Sequence, residues 1–132
     1  MIPNEERIAR QVLESIAQAT SLFRERAVSI ERLPSVKRTI TALEFYKSVN
    51  GPPVLSGYLD AQLQDGTAVS WLLDVTWTDE TWIMNLKLAR SSGGEQEVLQ
   101  ELPSITVQTV PELPSKLSQA VRQLLEIRPP FL

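Results

Sequence analysis

Residues 55–90 read LSGYLDAQLQDGTAVSWLLDVTWTDETWIMNLKLAR. Leu55, Gly57, Leu59, Ala61 and Leu63 alternate with Ser56, Tyr58, Asp60 and Gln62. A period of two with one apolar side is the mark of a strand that buries a single face. Val69, Trp71, Leu73, Val75 and Trp77 repeat the pattern, and Trp82, Met84, Leu86 and Leu88 repeat it again. The turns between these runs decide how they pair. A two-residue turn at Asp65-Gly66 would put Trp71 on the same face as Asp60. A three-residue loop, Gln64-Asp65-Gly66 with Gly66 left-handed, matches the apolar sides instead. It sets Leu63 opposite Thr67, Ala61 opposite Val69, Leu59 opposite Trp71 and Leu55 opposite Val75. Because a slip of one residue reverses every side chain, the apolar pattern selects this register. The turn around 78–81 then places Trp77 opposite Trp82, Val75 beside Met84 and Leu73 beside Leu86. All three tryptophans of the chain fall on the apolar face of one antiparallel meander.

Outward from the meander, the N-terminal side reads as a helix over about 4–26, with Asn4 as N-cap and Glu5 and Glu6 in its positive first turn. Ile8, Val12, Leu13, Ile16, Ala19 and Phe23 recur at helical spacing and form its apolar stripe. Leu33-Pro34 ends that pattern. Residues 36–49 fit two readings. Val36, Ile40 and Leu43 suit a helical face and Asn50-Gly51-Pro52 suits a helix stop, whereas Val36, Thr39, Ile40, Thr41, Phe45 and Tyr46 suit a strand. The β-branched and aromatic content favours the strand. After the Ser91-Ser92-Gly93-Gly94 turn, ITVQTV reads as a strand, and EVLQEL as its partner or a short helix. A last helix is expected from Pro114 to Ile127, with Leu117, Val121, Leu124 and Leu125 as its stripe and Pro114 in the first turn.

These elements amount to a single α+β domain over residues 1–132. The expected order is an N-terminal helix, an antiparallel meander of four to six strands and a C-terminal helix, with both helices on the tryptophan-bearing side. The outline is similar to cystatin-like domains and to small acidic secretion chaperones. It departs from the first in its C-terminal helix and from the second in lacking a helix between strands after Trp77. No motif ties the chain to either family.

Composition narrows the chemistry. The 132 residues include no cysteine and no histidine. Thiolate chemistry, Cys/His zinc sites and Ser-His-Asp or Cys-His catalysis are therefore excluded. No phosphate-binding glycine loop or calcium loop is present, and no cofactor is expected. No apolar run is long enough to span a membrane, and the first residues do not form a secretory signal; a cytoplasmic protein is expected. The net charge of −3 is uneven: residues 1–50 hold eight Lys/Arg against six Asp/Glu, and residues 51–132 hold five against ten. The basic stretch Arg24, Arg26, Arg32, Lys37 and Arg38 is too short and too poor in aromatics to indicate nucleic-acid binding. Glu95, Glu97 and Glu101 read as a solvated acidic patch.

Two candidate sites remain. The face opposite the tryptophans carries Tyr58 beside Leu72 beside Lys87, and Ser56 beside Asp74 beside Asn85. This mixture of an apolar centre with an aromatic and polar groups has the composition of an association surface. Tyr58, Leu72, Asp74, Asn85 and Lys87 are thus the candidate binding residues of a non-enzymatic module, for self-association or an unknown protein partner. Asp74 with Lys87 reads as a surface ion pair rather than as catalytic machinery. The alternative is a small-molecule pocket, or a His-free active site, edged by Tyr46, Trp77 and Trp82 at the open end of the sheet.

Overall fold

The computed structural model describes residues 3–47, 53–78 and 81–132; the side chains of some residues beside the omitted segments, Tyr46 and Trp77 among them, lie outside what it describes. The elements run α1 (Pro3–Glu31), β1 (Val36–Lys47), β2 (Pro53–Leu63), β3 (Ala68–Thr78), β4 (Thr81–Ser92), β5 (Glu95–Val107) and α2 (Leu113–Glu126), with a single 3-10 turn (Val110–Glu112) leading into α2. The five strands form one antiparallel sheet in chain order. The architecture is the α+β helix–meander–helix expected from the sequence, and residues 36–47 are its first strand.

The register agrees with the turn argument. Leu59 pairs with Trp71, Leu55 with Val75, and Ala61 with Val69; Val75 pairs with Met84 and Trp77 with Trp82. Gly66 adopts φ 88°, and the Leu63 N–H donates to the Thr67 carbonyl at 2.8 Å, which closes the three-residue loop. At the other end of the sheet, Gly93 and Gly94 both have positive φ, 57° and 88°. Two successive residues of that kind make the mirror-image turn whose twist suits a hairpin.

Both helices cover one face of the sheet. α1 packs on β1 and β2, α2 on β3, β4 and β5, and the helices pack on each other. The core between the layers holds Phe23 from α1, Leu117 and Leu124 from α2, and Leu59, Trp71 and Met84 from the sheet, all essentially sealed from solvent. Gly57 gives room where α1 approaches β2. A Cβ there would stand 2.6 Å from Leu43 Cδ1 and 3.4 Å from Phe23 Cε2, so the missing side chain lets those two close over the strand.

Four details differ from the sequence reading. α1 begins at Pro3, so Asn4 lies in its first turn rather than at the cap; the fixed φ of proline suits that first position. α1 also continues five residues past Arg26, to Glu31, because the buried stripe Ser15, Ala19, Phe23 extends to Ala27 and Ile30. Arginines within it are no barrier to a helix whose other side is buried. Leu13, assigned to the stripe, is 67% exposed. It lies about 100° around the helix from Val12, which takes it off the sheet-facing line. Finally, EVLQEL is strand and joins the first three residues of ITVQTV in a single strand, β5, which ends at Val107; Val110 already belongs to the 3-10 turn. Pro103 is accommodated because β5 is an edge, and two irregularities absorb the register, between Met84 and Leu86 and between Leu88 and Ala89.

Candidate functional site

The face of the sheet away from the helices is built from the alternate residues of all five strands. Its middle row is Ala42, Tyr58, Leu72, Lys87 and Glu101, and the next row is Glu44, Ser56, Asp74 and Asn85. The structure therefore brings together every residue assigned to the association surface: Tyr58, Leu72, Asp74, Asn85 and Lys87. The row on the other side of Leu72 carries Ile40, Asp60, Ser70, Ala89 and Val98.

The polar groups of this face are matched across strands. Ser56 Oγ donates to Asp74 Oδ1 at 3.2 Å, Ser70 Oγ donates to Asp60 Oδ1 at 2.5 Å, and Ser104 Oγ donates to Asn85 Oδ1 at 2.7 Å. Asp74 takes the Ser56 hydroxyl and makes no ion pair with Lys87: among the described residues the ion pair is Arg90–Asp65, at 3.1 Å. The expected Asp74–Lys87 pair is corrected accordingly. The two share the face but occupy different rows, with Asp74 opposite Asn85 and Lys87 opposite Leu72. Leu72 is half-buried between Tyr58 and Lys87 rather than prominent. The more open apolar groups stand on the two edge strands, Ile40 at 39% exposure and Val98 at 46%.

The tryptophans separate into different environments. Trp71 is buried in the core, and its Nε1–H donates to the carbonyl of Ile127 just past α2 at 3.0 Å. Trp82 is half-buried at the 47–53/78–81 end of the sheet, packed against the core. Of the alternative pocket residues, Trp82 alone can be placed by its side chain; the side chains of Tyr46 and Trp77 lie outside the described set. Trp82 does border a cavity of about 220 Å³ between the helices and the sheet, whose walls include Val12 and Ile16 of α1 and Leu113 and Leu117 of α2. The sequence reading missed these helical walls. A signal was available: Ser15 is a small polar residue on the buried side of α1, where a larger side chain would have filled the layer.

Near the opposite hairpin, Asp65 Oδ1 accepts from the Thr67 hydroxyl at 2.6 Å and from the Thr67 N–H at 2.9 Å, and Arg90 reaches Asp65 Oδ2. The Thr67 donors, helped by the Arg90 charge, hold the Asp65 carboxyl below its ordinary pKa. Arg90 also stands 4.5 Å from the centre of the Phe131 ring, which fastens the C-terminal segment to β4. This is a structural clamp on a turn.

No group of three Asp or Glu that could hold a metal occurs among the described residues, and no described helix is long and apolar enough to cross a membrane. The basic stretch divides among α1, where Arg26 is half-buried, the turn that follows with Arg32, and the edge strand β1, where Arg38 donates through Nε to Gln62 Oε1. No protein family, curated protein or solved structure matches the chain.

Proposed function

We propose that this protein is a non-enzymatic assembly module that pairs with a second copy of itself through the open face of its sheet. The observation that carries the reading is the one-sided cover: both helices lie on the core face, and the other face is a continuous five-stranded surface. Strand spacing of about 4.8 Å and rise of about 3.3 Å per residue make that surface roughly 20 by 30 Å. With side-chain relief, this is comparable to the about 800 Å² that each partner contributes to a standard interface. β3 is the middle strand and Leu72 is on it. A two-fold axis through Leu72 would set the face against its own outline, as an isologous dimer requires.

The chemistry of the face suits desolvation. Asp60, Asp74 and Asn85 already accept hydroxyls across the strands, so their covering leaves fewer lost water contacts uncompensated. Edge-to-edge association is less favourable. β5 presents Glu95, Glu97 and Glu101, and is interrupted by Pro103 and two bulges, features that discourage strand addition. The absence of His and Cys supports a role without catalysis.

The face holds Arg38 and Lys87 against Glu44, Asp60, Asp74 and Glu101. Two copies therefore carry a like-sign excess, and added salt is expected to strengthen their association by screening it. Native mass spectrometry and sedimentation test the proposal directly. The expected result is a species near twice 14.8 kDa that Leu72→Asp returns to the monomer mass. A parent protein that stays monomeric at high concentration in high salt, or a dimer indifferent to Leu72→Asp, overturns it. So does a complex in which this face is occupied by a different chain.

A further inference from the structure

On the covered side of the sheet, where α1 and α2 face the start of β2 and the end of β3, the two layers leave a cavity of about 220 Å³. Packed interiors normally leave few gaps larger than a water molecule. Among the described residues, the cavity's walls are hydrocarbon or ring throughout, save for the Ser15 hydroxyl. That hydroxyl donates back to the Gln11 carbonyl of its own helix at 2.8 Å. No charged side chain of the described residues lines the space. A water molecule held there would lack the two to four polar partners it needs. Three wall residues, Val12, Ile16 and Trp82, belong to the apolar layer yet are only partly buried. They are the ones whose burial an occupant would complete, while Leu55, Val75 and Leu117 already form a closed floor.

From these observations we infer that the cavity is a binding site for a small, uncharged, hydrocarbon-rich molecule. An apolar cavity of about 150 Å³ suffices for benzene, so this larger one suits a fused ring pair or a chain segment of similar bulk. The described walls are apolar and carry no charge, and such walls would reject a carboxylate or an amine, because burying an unpaired ion is costly. Trp82 supplies a ring face at the rim for the occupant to pack against. The site lies on the opposite side of the sheet from the proposed interface and does not depend on that reading: Leu72→Asp is expected to bind as the parent does.

The test uses the full chain with isotope-labelled methyl groups and two probes, naphthalene for a ring and 1-octanol for a chain. The expected result is a saturable shift of the Val12, Ile16, Leu55 and Leu117 methyl signals with at least one probe, accompanied by a rise in Tm. A response to one probe alone supports the site and shows which hydrocarbon form it takes. Ser15→Leu fills the space from α1 and is expected to abolish the response while leaving the fold intact. Should that variant misfold, Val12→Phe fills it from the rim. Methyl signals unmoved by both probes up to their solubility limits, or a filled variant that responds as the parent does, overturn the inference.

Discussion

The two faces of the sheet are made from alternate residues of the same strands, yet they solve different problems. On the covered face, Leu59, Trp71, Leu73 and Val75 are closed to solvent beneath the helices. On the open face, Tyr58, Leu72, Asp74 and Lys87 stay half-exposed, and serine hydroxyls answer the carboxylates at Asp60 and Asp74. The lesson is that alternation places side chains, but the element packed above decides what each position is worth. A buried apolar group contributes transfer and packing energy together. A half-exposed group on a bare face contributes little until something covers it.

Substitutions can break this comparison, and the largest effect is expected on the covered face. Trp71→Ala should destabilise the fold by about 3–5 kcal/mol in denaturant unfolding, through a cavity at the centre of the core. Trp71→Phe should cost less, about 1–3 kcal/mol, since it keeps most of the ring but leaves the Ile127 carbonyl without its indole donor. If both substitutions were near neutral, the covered face would not be the stabilising one.

Next is Gly57→Ala, expected to cost about 1–3 kcal/mol by overpacking against Leu43 and Phe23. Adding Leu43→Ala should recover part of the loss, because the clash is with the end of that flexible side chain. Purely additive costs would show that the glycine matters for its backbone alone.

Leu72→Asp sharpens the contrast from the other face. Thermal stability of the monomer should change by about 1 kcal/mol or less, as for substitutions away from the core, while association is lost. A fall as large as that of Trp71→Ala would mean that the two faces are not distinct in energy.

The smallest effect is electrostatic. The folded-state pKa of Asp65 lies below its ordinary value. Its contribution to stability is therefore present in full above an unfolded-state value of about 3.9 and is lost as the pH falls through the lower folded-state value. Asp65→Asn should flatten this part of the pH dependence of Tm. The same slope in parent and variant would show that the Thr67 and Arg90 contacts do not act through the carboxylate charge.

Much of the fold was legible in the chain. The pairings Leu59–Trp71, Val75–Met84 and Trp77–Trp82 followed from alternation and from one left-handed glycine, because register in a one-sided sheet is set by which residues must be buried together. The mixed row through Tyr58, Leu72 and Lys87 followed from the same register. The end of α1 was not legible, since Ala27 and Ile30 show their role only when the sheet beneath them is present. Leu13 was misplaced for a related reason: one-dimensional periodicity tolerates a neighbour about 100° off the stripe, and packing does not.

While 36–49 and EVLQEL stayed open between strand and helix, the sequence by itself determined the helix–meander–helix outline, the register of the three central strands, the separation of apolar from mixed face, and the exclusion of His- and Cys-based chemistry. These rest on local rules of period, turn geometry and residue type. Only the tertiary structure decided that Asp74 is held by Ser56 instead of Lys87, that the Trp71 indole is answered by the Ile127 carbonyl, and that a cavity opens beside Trp82. Each depends on the distance between groups far apart in the chain, and on how two helices divide the surface of one sheet, which no local pattern encodes.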